Sequence, residues 1–190
     1  MGRTDFVDRS PLTRAALAFA EGHHSGQTRV VDGEIPLVTH PIEVACLLHE
    51  AGYPDEVVAA GVLHDVLEET HADATQLEEK FGADVASLVE TVSDDPSIDD
   101  DTERRAALRR QVAEADDRAA AVFAADKVSK ARELHARARR RGRIEPSDRG
   151  KLEHYDASLV MLSARIPGHG LLDQLRVEVA ALHSLSAPRA

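Results

Sequence analysis

Four polar side chains follow directly on the most apolar stretch of the sequence. The segment reads LHDVLEET, and it contributes His64, Asp65, Glu68 and Glu69. On a helix, residues four apart share one face, so the histidine would lie over the first glutamate and the aspartate over the second. An imidazole beside a carboxylate is a mixed nitrogen and oxygen ligand pair that suits a borderline-to-hard divalent cation. The alternative is the solvated end of an amphipathic helix, and this segment by itself leaves both interpretations open.

Two further segments offer ligands of the same kinds. His40 stands at the start of a predicted helix, in the tripeptide THP, and Asp126 follows the apolar residues 122–125. A carboxylate after such a run is costly to bury unless it is paired or bound to a cation. With the histidine and aspartate of LHDVLEET, the chain offers two imidazoles and two carboxylates. Such a set can hold one cation and leave positions open for water and substrate, as catalytic sites do.

The elements that position these residues are predicted to be helices. Apolar residues recur at helical spacing along almost the whole chain, and no segment alternates with period two. We predict one all-α domain over residues 1–190, a helical bundle of about eight or nine helices with its core at about 10–185 and short polar tails. The helix at 54–67 is apolar on nearly all sides in its first half, which places it at the centre of the core. Glycines and a proline predict a loop at 26–38, and five aspartates predict an exposed, mobile loop at 94–101.

The composition excludes several classes of protein. The chain of 190 residues has 23 Lys and Arg against 34 Asp and Glu, and this net charge of −11 disfavours non-specific binding to nucleic acid or to anionic membranes. The apolar runs are far shorter than the ~20 residues needed to span a bilayer, and the polar N-terminus predicts no signal segment. The single cysteine, Cys46, cannot form an intrachain disulfide, which fits a reducing compartment such as the cytoplasm.

The order of these motifs resembles a known family. The strings HHSGQTRVVDGEIPLVTHPIEVA, AAGVLHDVLEET, FGADVASLVETVSDD, ERR and AADKVSK follow one another between about Leu12 and His135. The order His, then His-Asp, then Asp is the signature of the HD phosphohydrolase superfamily. The whole series is similar to the RelA/SpoT-type alarmone hydrolases, which include small stand-alone enzymes. The ordered series is specific, whereas any single motif in it would be weak.

The resemblance implies a fold, a cofactor and a reaction. Members of the family are all-α, hold one Mn²⁺ ion per chain and remove the 3′-pyrophosphate from guanosine nucleotides such as ppGpp. Carried over by motif, four residues correspond to the metal ligands: His40, His64, Asp65 and Asp126. The catalytic acidic pair of the family falls on Glu68 and Glu69.

Four features depart from the pattern of the family. An aspartate usually stands where this chain has Glu69, and the loop ahead of the HP motif usually carries two basic residues, of which only Arg29 remains. An aromatic residue usually precedes the HP motif, where this chain has Leu37, and an asparagine usually stands where this chain has Lys130. Three of these features belong to the nucleotide pocket, so the resemblance supports the type of reaction more strongly than the guanosine substrate.

Two basic residues are candidates for substrate binding. Lys130, one helical turn past Asp126, could contact a phosphate as a compact point charge, and Arg29 could stack on a base or hold a phosphate. The alternative for Lys130 is a surface lysine that pairs with Glu133 or Asp126. The alternative for Arg29 is an exposed loop arginine without a role in binding.

Other conspicuous residues receive structural interpretations. The arginine-rich stretch 137–143 is predicted to be a helix end that balances nearby acids, with binding of an anion or of nucleic acid as the alternative. Histidines that lack a second ligand at a useful spacing are predicted to be solvated or capping: His49, His71, His135, His154, His169 and His183.

The sequence therefore predicts a metal-dependent nucleotide pyrophosphohydrolase of the small alarmone hydrolase type. One alternative is an HD phosphohydrolase that acts on a different phosphorylated nucleotide or cofactor. Another is a weakly active HD domain that binds nucleotides in a regulatory role. The expected partner is a small phosphorylated nucleotide, not nucleic acid or a membrane, and a homo-oligomer stays open.

Overall fold

The computed structural model describes residues 5–23, 28–30, 34–36 and 39–186, with side chains at 6–23 and 39–186. Helices carry most of these residues, and nine of them have eight residues or more, so the predicted all-α bundle is confirmed for the described part of the chain. Among the described helices, none combines the length and the apolar composition that a bilayer span requires. In chain order the elements are α1 (Asp5–Arg9), α2 (Pro11–His23), β1 (Thr28–Val30), β2 (Glu34–Pro36), α3 (Thr39–Glu50), α4 (Asp55–Leu63), α5 (Val66–Glu69), α6 (Ala74–Phe81), α7 (Ala83–Val92), α8 (Asp101–Glu114), α9 (Asp117–Arg141), a 3-10 turn (Pro146–Asp148), α10 (Arg149–Arg165) and α11 (Gly170–Ser186).

A short hairpin lies inside the segment 26–38, which the sequence predicts to be a loop. Strand β1 pairs antiparallel with β2, and Arg29 stands opposite Ile35. Alternation of apolar and polar residues becomes visible over about four to eight residues, but each of these strands has only three. The pattern is therefore too short to reveal the hairpin.

The N-terminal segment is not simply the predicted polar tail. Helix α1 buries Phe6 and Val7, and the Phe6 ring stacks on the His49 ring with 4.9 Å between centroids. Two apolar residues are too few to show helical periodicity in the sequence, so this contact is visible only in the fold.

Helix α4 lies at the centre of the core, as its composition predicts. All seven of its residues from Val57 to Leu63 are buried, and α2, α3, α7 and α9 pack around it. The close approach of α3 requires a glycine in α4, because a Cβ atom on Gly61 would overlap the side chain of Leu48. This packing brings His40, near the start of α3, to the end of α4.

The polar residues after α4 do not continue it as one helix. Helix α4 ends at Leu63, His64 and Asp65 form a turn, and the short α5 follows. The ring nitrogen Nδ1 of His64 donates to the carbonyl oxygen of Gly61 at 2.8 Å, and a continuing helix would pair that carbonyl with the backbone four residues on. The prediction of polar side chains stacked four apart on a continuous helix is therefore wrong. Instead, the turn brings His64 Nε2 to 3.0 Å from Asp65 Oδ1.

Helix α9 spans 25 residues, of which 119–129 are all buried. Asp116 caps its start by accepting hydrogen bonds from the backbone N–H groups of Arg118 and Ala119. Gly142 follows its last residue in the left-handed conformation, with φ at 71°. Because α9 packs against α3, α4 and α11, it carries the residues around position 126 into the core, beside α3 and the turn after α4.

Candidate metal and phosphate site

The four predicted metal ligands converge in one buried cluster: His40 from α3, His64 and Asp65 from the turn after α4, and Asp126 from α9. One ligand atom from each residue lies within 4.8 Å of the others. The Nε2 atoms of the two histidines are 3.1 Å apart, and Oδ1 of Asp126 lies 3.0 Å from Nε2 of His40. None of the four residues is more than 6% exposed.

Hydrogen bonds outside the cluster set the orientation of both imidazoles. Nδ1 of His64 is 2.8 Å from the carbonyl oxygen of Gly61, which can only accept, so Nδ1 carries the proton. Nδ1 of His40 is 2.8 Å from Oγ of Ser129. Both rings therefore turn Nε2 towards the cluster, and in a neutral His64 this atom offers a free lone pair.

The electrostatics of the cluster are those of a cation site. Burial acts against ionised carboxylates, yet the neighbouring cationic groups hold the pKa values of Asp65 and Asp126 well below their usual range. Burial lowers the pKa of His40. For His64 the two carboxylates outweigh burial and raise the pKa to about 10. Two carboxylates and two imidazoles this close together require positive charge among them. Their nitrogen and oxygen donors fit a divalent ion.

Two lysines of α9 partly neutralise the cluster. Nζ of Lys127 is 2.6 Å from Oδ2 of Asp126 and lies over the Phe123 ring, 4.5 Å from its centroid. Nζ of Lys130 is 2.9 Å from Oδ1 of Asp126 and 3.3 Å from Oδ1 of Asp65. Burial acts against the Lys130 ammonium group, but these carboxylates raise its pKa above the usual value. The pairing of Lys130 with Asp126 thus occurs in the wall of a cavity, not on an open surface.

This cavity has a volume of about 410 Å³, and His64, Asp65 and Asp126 form part of its lining. Besides the two lysines of α9, its lining contains three cationic side chains from three helices: Arg105, Arg137 and Lys151. Four further acids also line it: Glu68, Asp94, Asp101 and Glu133. A cavity with a cation site in its wall and basic side chains along it suits a ligand that carries several phosphate groups.

Arg137 shows that the two interpretations of the arginine-rich stretch are compatible. Its Nη2 donates to Oδ1 of Asp148 at 2.9 Å, and Nζ of Lys151 donates to the same oxygen at 3.1 Å. The arginine therefore balances an acid, as predicted. It also lines the cavity, so the predicted alternative of anion binding stays a prediction for this residue.

The two predicted catalytic acids have different surroundings. Glu68 lines the cavity, and its Oε1 accepts a hydrogen bond at 2.7 Å from the backbone N–H of Asp94. Partial burial of the carboxyl group and the nearby Asp65 carboxylate raise the pKa of Glu68 to about 7, although the residue as a whole remains exposed. Glu69 is exposed and is not part of the cavity lining. The loop at 94–101, which the sequence predicts to be exposed and mobile, therefore contributes its first residue, Asp94, to this site.

Two neighbouring residues of α10 belong to the cavity and were not predicted. His154 is buried instead of solvated, and its Nδ1 accepts a hydrogen bond from the Arg109 guanidinium group. Burial and the charge of Lys127 lower the pKa of His154 to about 2, so its imidazole is neutral. Tyr155 is 4% exposed, and its hydroxyl group forms no hydrogen bond with another described residue. The sequence places neither residue at a useful spacing from another candidate ligand, so it gives no signal that the two residues belong to the site.

Arg29, the second predicted substrate-binding residue, lies in β1. Its backbone pairs with that of Ile35, but its side chain lies outside the described residues. Leu37, which replaces the aromatic residue of the family, also lies outside them.

A helical bundle that buries two histidines and two aspartates in this order defines the class of the protein. The HD domain family matches residues 16–147, a range that contains the whole cluster. The chain belongs to the HD domain family.

Particular members of this class are similar to the chain over most of their length. It is 38% identical over 120 residues to the Drosophila melanogaster guanosine-3′,5′-bis(diphosphate) 3′-pyrophosphohydrolase MESH1. The aligned region covers 62% of this chain and 66% of that protein. It is 38% identical over 122 residues to the Homo sapiens MESH1, and this aligned region covers 63% of this chain and 68% of that protein.

A bacterial relative is much longer. The chain is 45% identical over 86 residues to the Escherichia coli bifunctional (p)ppGpp synthase/hydrolase SpoT, which is 45% of this chain but only 12% of that protein. Among solved structures, a metazoan ortholog of SpoT that hydrolyses ppGpp matches with a TM-score of 0.75 at 27% identity. The match covers 93% of this chain and 97% of that one.

Proposed function

We propose that this chain is a metal-dependent hydrolase that removes the 3′-pyrophosphate from (p)ppGpp-like guanosine nucleotides. One observation carries the proposal: a buried cluster of two histidines and two aspartates lines a cavity that also contains basic side chains. The names of the relatives support it, because they are guanosine-3′,5′-bis(diphosphate) 3′-pyrophosphohydrolases. The metazoan protein of the same fold also hydrolyses ppGpp.

The proposed metal is Mn²⁺, held by the four clustered side chains: His40, His64, Asp65 and Asp126. Mixed imidazole and carboxylate donors suit this ion, and the resemblance to the alarmone hydrolases favours it over other divalent ions. When bound, a divalent ion polarises a phosphoryl oxygen and lowers the pKa of nearby water. The hydrogen bonds behind both imidazoles keep Nε2 directed at the ion position, so the protein supplies a preformed ligand set.

Glu68 is the proposed general base. Its carboxylate lines the cavity one turn after Asp65, and a pKa near 7 lets it take a proton from the attacking water at neutral pH and return it to the leaving group. The backbone N–H of Asp94 holds Oε1, which leaves Oε2 for the water. Glu69 is proposed as an auxiliary acid that orients water or substrate from the exposed side.

The basic side chains of the cavity are the proposed phosphate contacts. Lys130 lies beside the cluster, with Nζ 2.9 Å from Oδ1 of Asp126, whereas Arg105 and Lys151 belong to other helices of the cavity wall. The Tyr155 hydroxyl can donate a further hydrogen bond to the substrate, since no described residue accepts its proton. Arg29 is proposed to reach the substrate from the hairpin.

A different phosphorylated nucleotide or cofactor is the second candidate substrate. The observation that favours it is the ammonium group of Lys130 in place of an amide. An amide both donates and accepts hydrogen bonds, whereas an ammonium group only donates. Lys130 therefore suits a phosphate better than the N–H groups of a guanine base.

A release assay tests the two candidates. The purified chain with Mn²⁺ is incubated with guanosine and adenosine nucleotides that do or do not carry a 3′-pyrophosphate, and released phosphate and pyrophosphate are measured. We expect pyrophosphate from the 3′-pyrophosphorylated nucleotides, and we expect none after addition of EDTA or from His64→Ala. Equal release from nucleotides without that group would favour the second candidate. Nucleotide binding without release would indicate a regulatory domain.

The proposal includes a cytoplasmic location. It is supported by the proposed nucleotide substrate and by the cysteine content, because Cys46 is the single cysteine of the sequence and is buried, which suits a reducing compartment.

A further inference from the structure

A hydrogen-bonded relay leads from the His40 imidazole to a carboxylate that no sequence motif singles out. Nδ1 of His40 is 2.8 Å from Oγ of Ser129, and this Oγ is 2.9 Å from Oε2 of Glu43. Glu43 lies one turn after His40 on α3, and Ser129 lies one turn after Asp126 on α9. The relay therefore joins two of the elements that carry the proposed metal ligands.

The chemistry of the three groups sets the direction of the relay. A carboxylate only accepts, so the Ser129 hydroxyl donates its single proton to Glu43. With that proton committed, the Ser129 oxygen accepts from Nδ1–H of His40. The His40 proton is thus held on Nδ1, and Nε2 presents its lone pair to the cluster.

The outer end of the relay is held in place as well. Nη1 of Arg132 donates to Oε1 of Glu43 at 3.1 Å, and Nη2 of Arg132 donates to Oε1 of Gln174 on α11 at 2.7 Å. The Glu43 side chain is 24% exposed, whereas Ser129 is 3% exposed. The inner hydrogen bonds are therefore shielded from water, which keeps them from exchanging with solvent.

We propose that Glu43 and Ser129 are positioning residues for the metal site, which hold His40 in the tautomer and orientation that bind the ion. The inference rests on the proposed function, because it takes the cluster to hold a divalent ion. The two histidines differ in a way that can be tested. A backbone carbonyl directs His64, but side chains direct His40. His40 is thus the ligand that side-chain substitutions outside the cluster can loosen.

Metal affinity measures the relay without turnover. Mn²⁺ is titrated into the wild-type chain and its variants, and the free ion is followed by electron paramagnetic resonance. We expect Ser129→Ala to weaken binding about 10- to 100-fold, the usual effect of removing a partner of a ligating histidine. Glu43→Gln should weaken it less, because the glutamine oxygen still accepts from Ser129. Ser129→Thr keeps the hydroxyl group and should restore most of the affinity.

Glu178→Gln is the matched control. It removes the same charge from a carboxylate that contacts Arg132 and His135 but not Ser129. We expect its Mn²⁺ affinity to equal that of the wild type. If Glu178→Gln loses as much Mn²⁺ affinity as Glu43→Gln, the relay is overturned, because removal of a negative charge alone would then explain the loss in both variants.

A second readout reports the His40 proton itself. In the chain loaded with Zn²⁺, a diamagnetic probe, Nδ1–H of His40 should give a slowly exchanging imidazole resonance in a nitrogen-edited spectrum. Ser129→Ala should lose this resonance and keep that of His64, whose partner is the backbone. A general loosening of the fold would affect both resonances.

The outcomes separate the relay from the proposed function. If the wild type binds Mn²⁺ and folded Ser129→Ala matches it in affinity and in the His40 resonance, the relay is wrong and the metal site stands. If the wild type binds neither ion, the relay and the proposed metal site are both wrong. Circular dichroism checks the fold. If Ser129→Ala does not fold, Glu43→Gln decides in its place: a Mn²⁺ affinity equal to that of the wild type would overturn the relay, and a weakened affinity supports it.

Discussion

Lys130 and Asp126 form an ion pair one turn apart on α9, with Nζ 2.9 Å from Oδ1. The same Oδ1 lies 3.0 Å from Nε2 of His40 and 3.4 Å from Nε2 of His64. Asp126 is one of the residues that would hold a divalent ion, so the ammonium group and the ion would compete for its carboxylate. Repulsion between the two positive charges would turn the ammonium group from the loaded cluster towards the cavity, where a phosphate can accept its hydrogen bonds.

Replacing Lys130 should therefore have opposite effects on the two ligands. Lys130→Met keeps most of the side-chain length and removes the charge. Mn²⁺ should bind more tightly, because its competitor is gone. The KM for the nucleotide should rise about ten- to hundredfold, since a hydrogen bond to a charged group is worth ~1.5–3 kcal/mol. Titration of Mn²⁺ and steady-state kinetics measure both, with the exposed Lys80→Met as control. Weaker metal binding in Lys130→Met would contradict the competition.

The base of the nucleotide should matter less than its phosphates. We expect guanine and adenine versions of a 3′-pyrophosphorylated nucleotide to differ by less than about tenfold in kcat/KM. The reason is that one contact of ~1.5–3 kcal/mol shifts from base to phosphate. Lys130→Asn should widen the difference, because the amide can again accept a hydrogen bond. A wild-type preference for guanine of about a hundredfold or more would show that other residues rebuild the base pocket.

His64 should be necessary for metal binding. His64→Ala removes one of the nitrogen donors, and we expect purified protein to lose its bound ion in elemental analysis. His71→Ala, a change at an exposed histidine outside the cluster, is the control and should keep the wild-type metal content. Asp126→Ala should lose the ion too, but it also leaves the buried Lys127 without its carboxylate. This costs about 3–5 kcal/mol of stability. Full metal content in His64→Ala would remove His64 from the ligand set.

Glu68 should set the acidic limb of the pH profile. A general base works as the carboxylate, so the rate should rise with pH through the pKa of Glu68, about 7, and level off above it. A bound cation favours the carboxylate and moves this rise to lower pH. Glu68→Gln should lower turnover by about 10²- to 10⁴-fold and abolish the rise. Glu69→Gln makes the same change one residue on, outside the cavity lining, and should cost less. A larger loss in Glu69→Gln would reverse the assignment.

The packing of α3 on α4 should depend on Gly61. Gly61→Ala forces a Cβ atom against Leu48, and overpacking of this kind costs about 1–3 kcal/mol. Gly22→Ala is a matched control in α2, where a Cβ atom meets no other atom within 4 Å. It should stabilise the chain by roughly 0.5–1 kcal/mol. Urea unfolding followed by circular dichroism measures both, and equal stability of the two variants would contradict the close approach.

The sequence predicts the helices and the four residues of the buried cluster, because both are indicated by local patterns of residue types. Helix α9 shows why: Asp116 precedes it, the apolar residues 119–125 lie in its first half, and Gly142 ends it, so its bounds can be predicted from the sequence. The turn at His64 and Asp65 cannot be predicted in the same way, because it depends on a hydrogen bond from the His64 side chain to the Gly61 carbonyl. The helix propensities of the residues do not indicate such a bond.

Contacts between distant residues also escape the sequence. Ser129 and Glu43 lie 86 residues apart, and neither type is unusual at its position. The histidines predicted to be solvated illustrate the same limit, because several have partners in other helices. His135 pairs with Glu178, and His183 pairs with Asp156. Such pairs are visible only once the helices are packed.

The clustered ligand atoms belong to segments that are far apart along the chain, since His40 and Asp126 are separated by 86 residues. An ion on these atoms is a reversible cross-link that an unfolded chain cannot form with the same geometry. By mass action, each tenfold rise in free ion above the dissociation constant adds about 1.4 kcal/mol to the free energy of unfolding. Under the proposed function, the supply of metal ion would set both how long each molecule survives proteolysis and how fast it hydrolyses its substrate, so scarcity of the ion would lower the amount of the protein together with its activity.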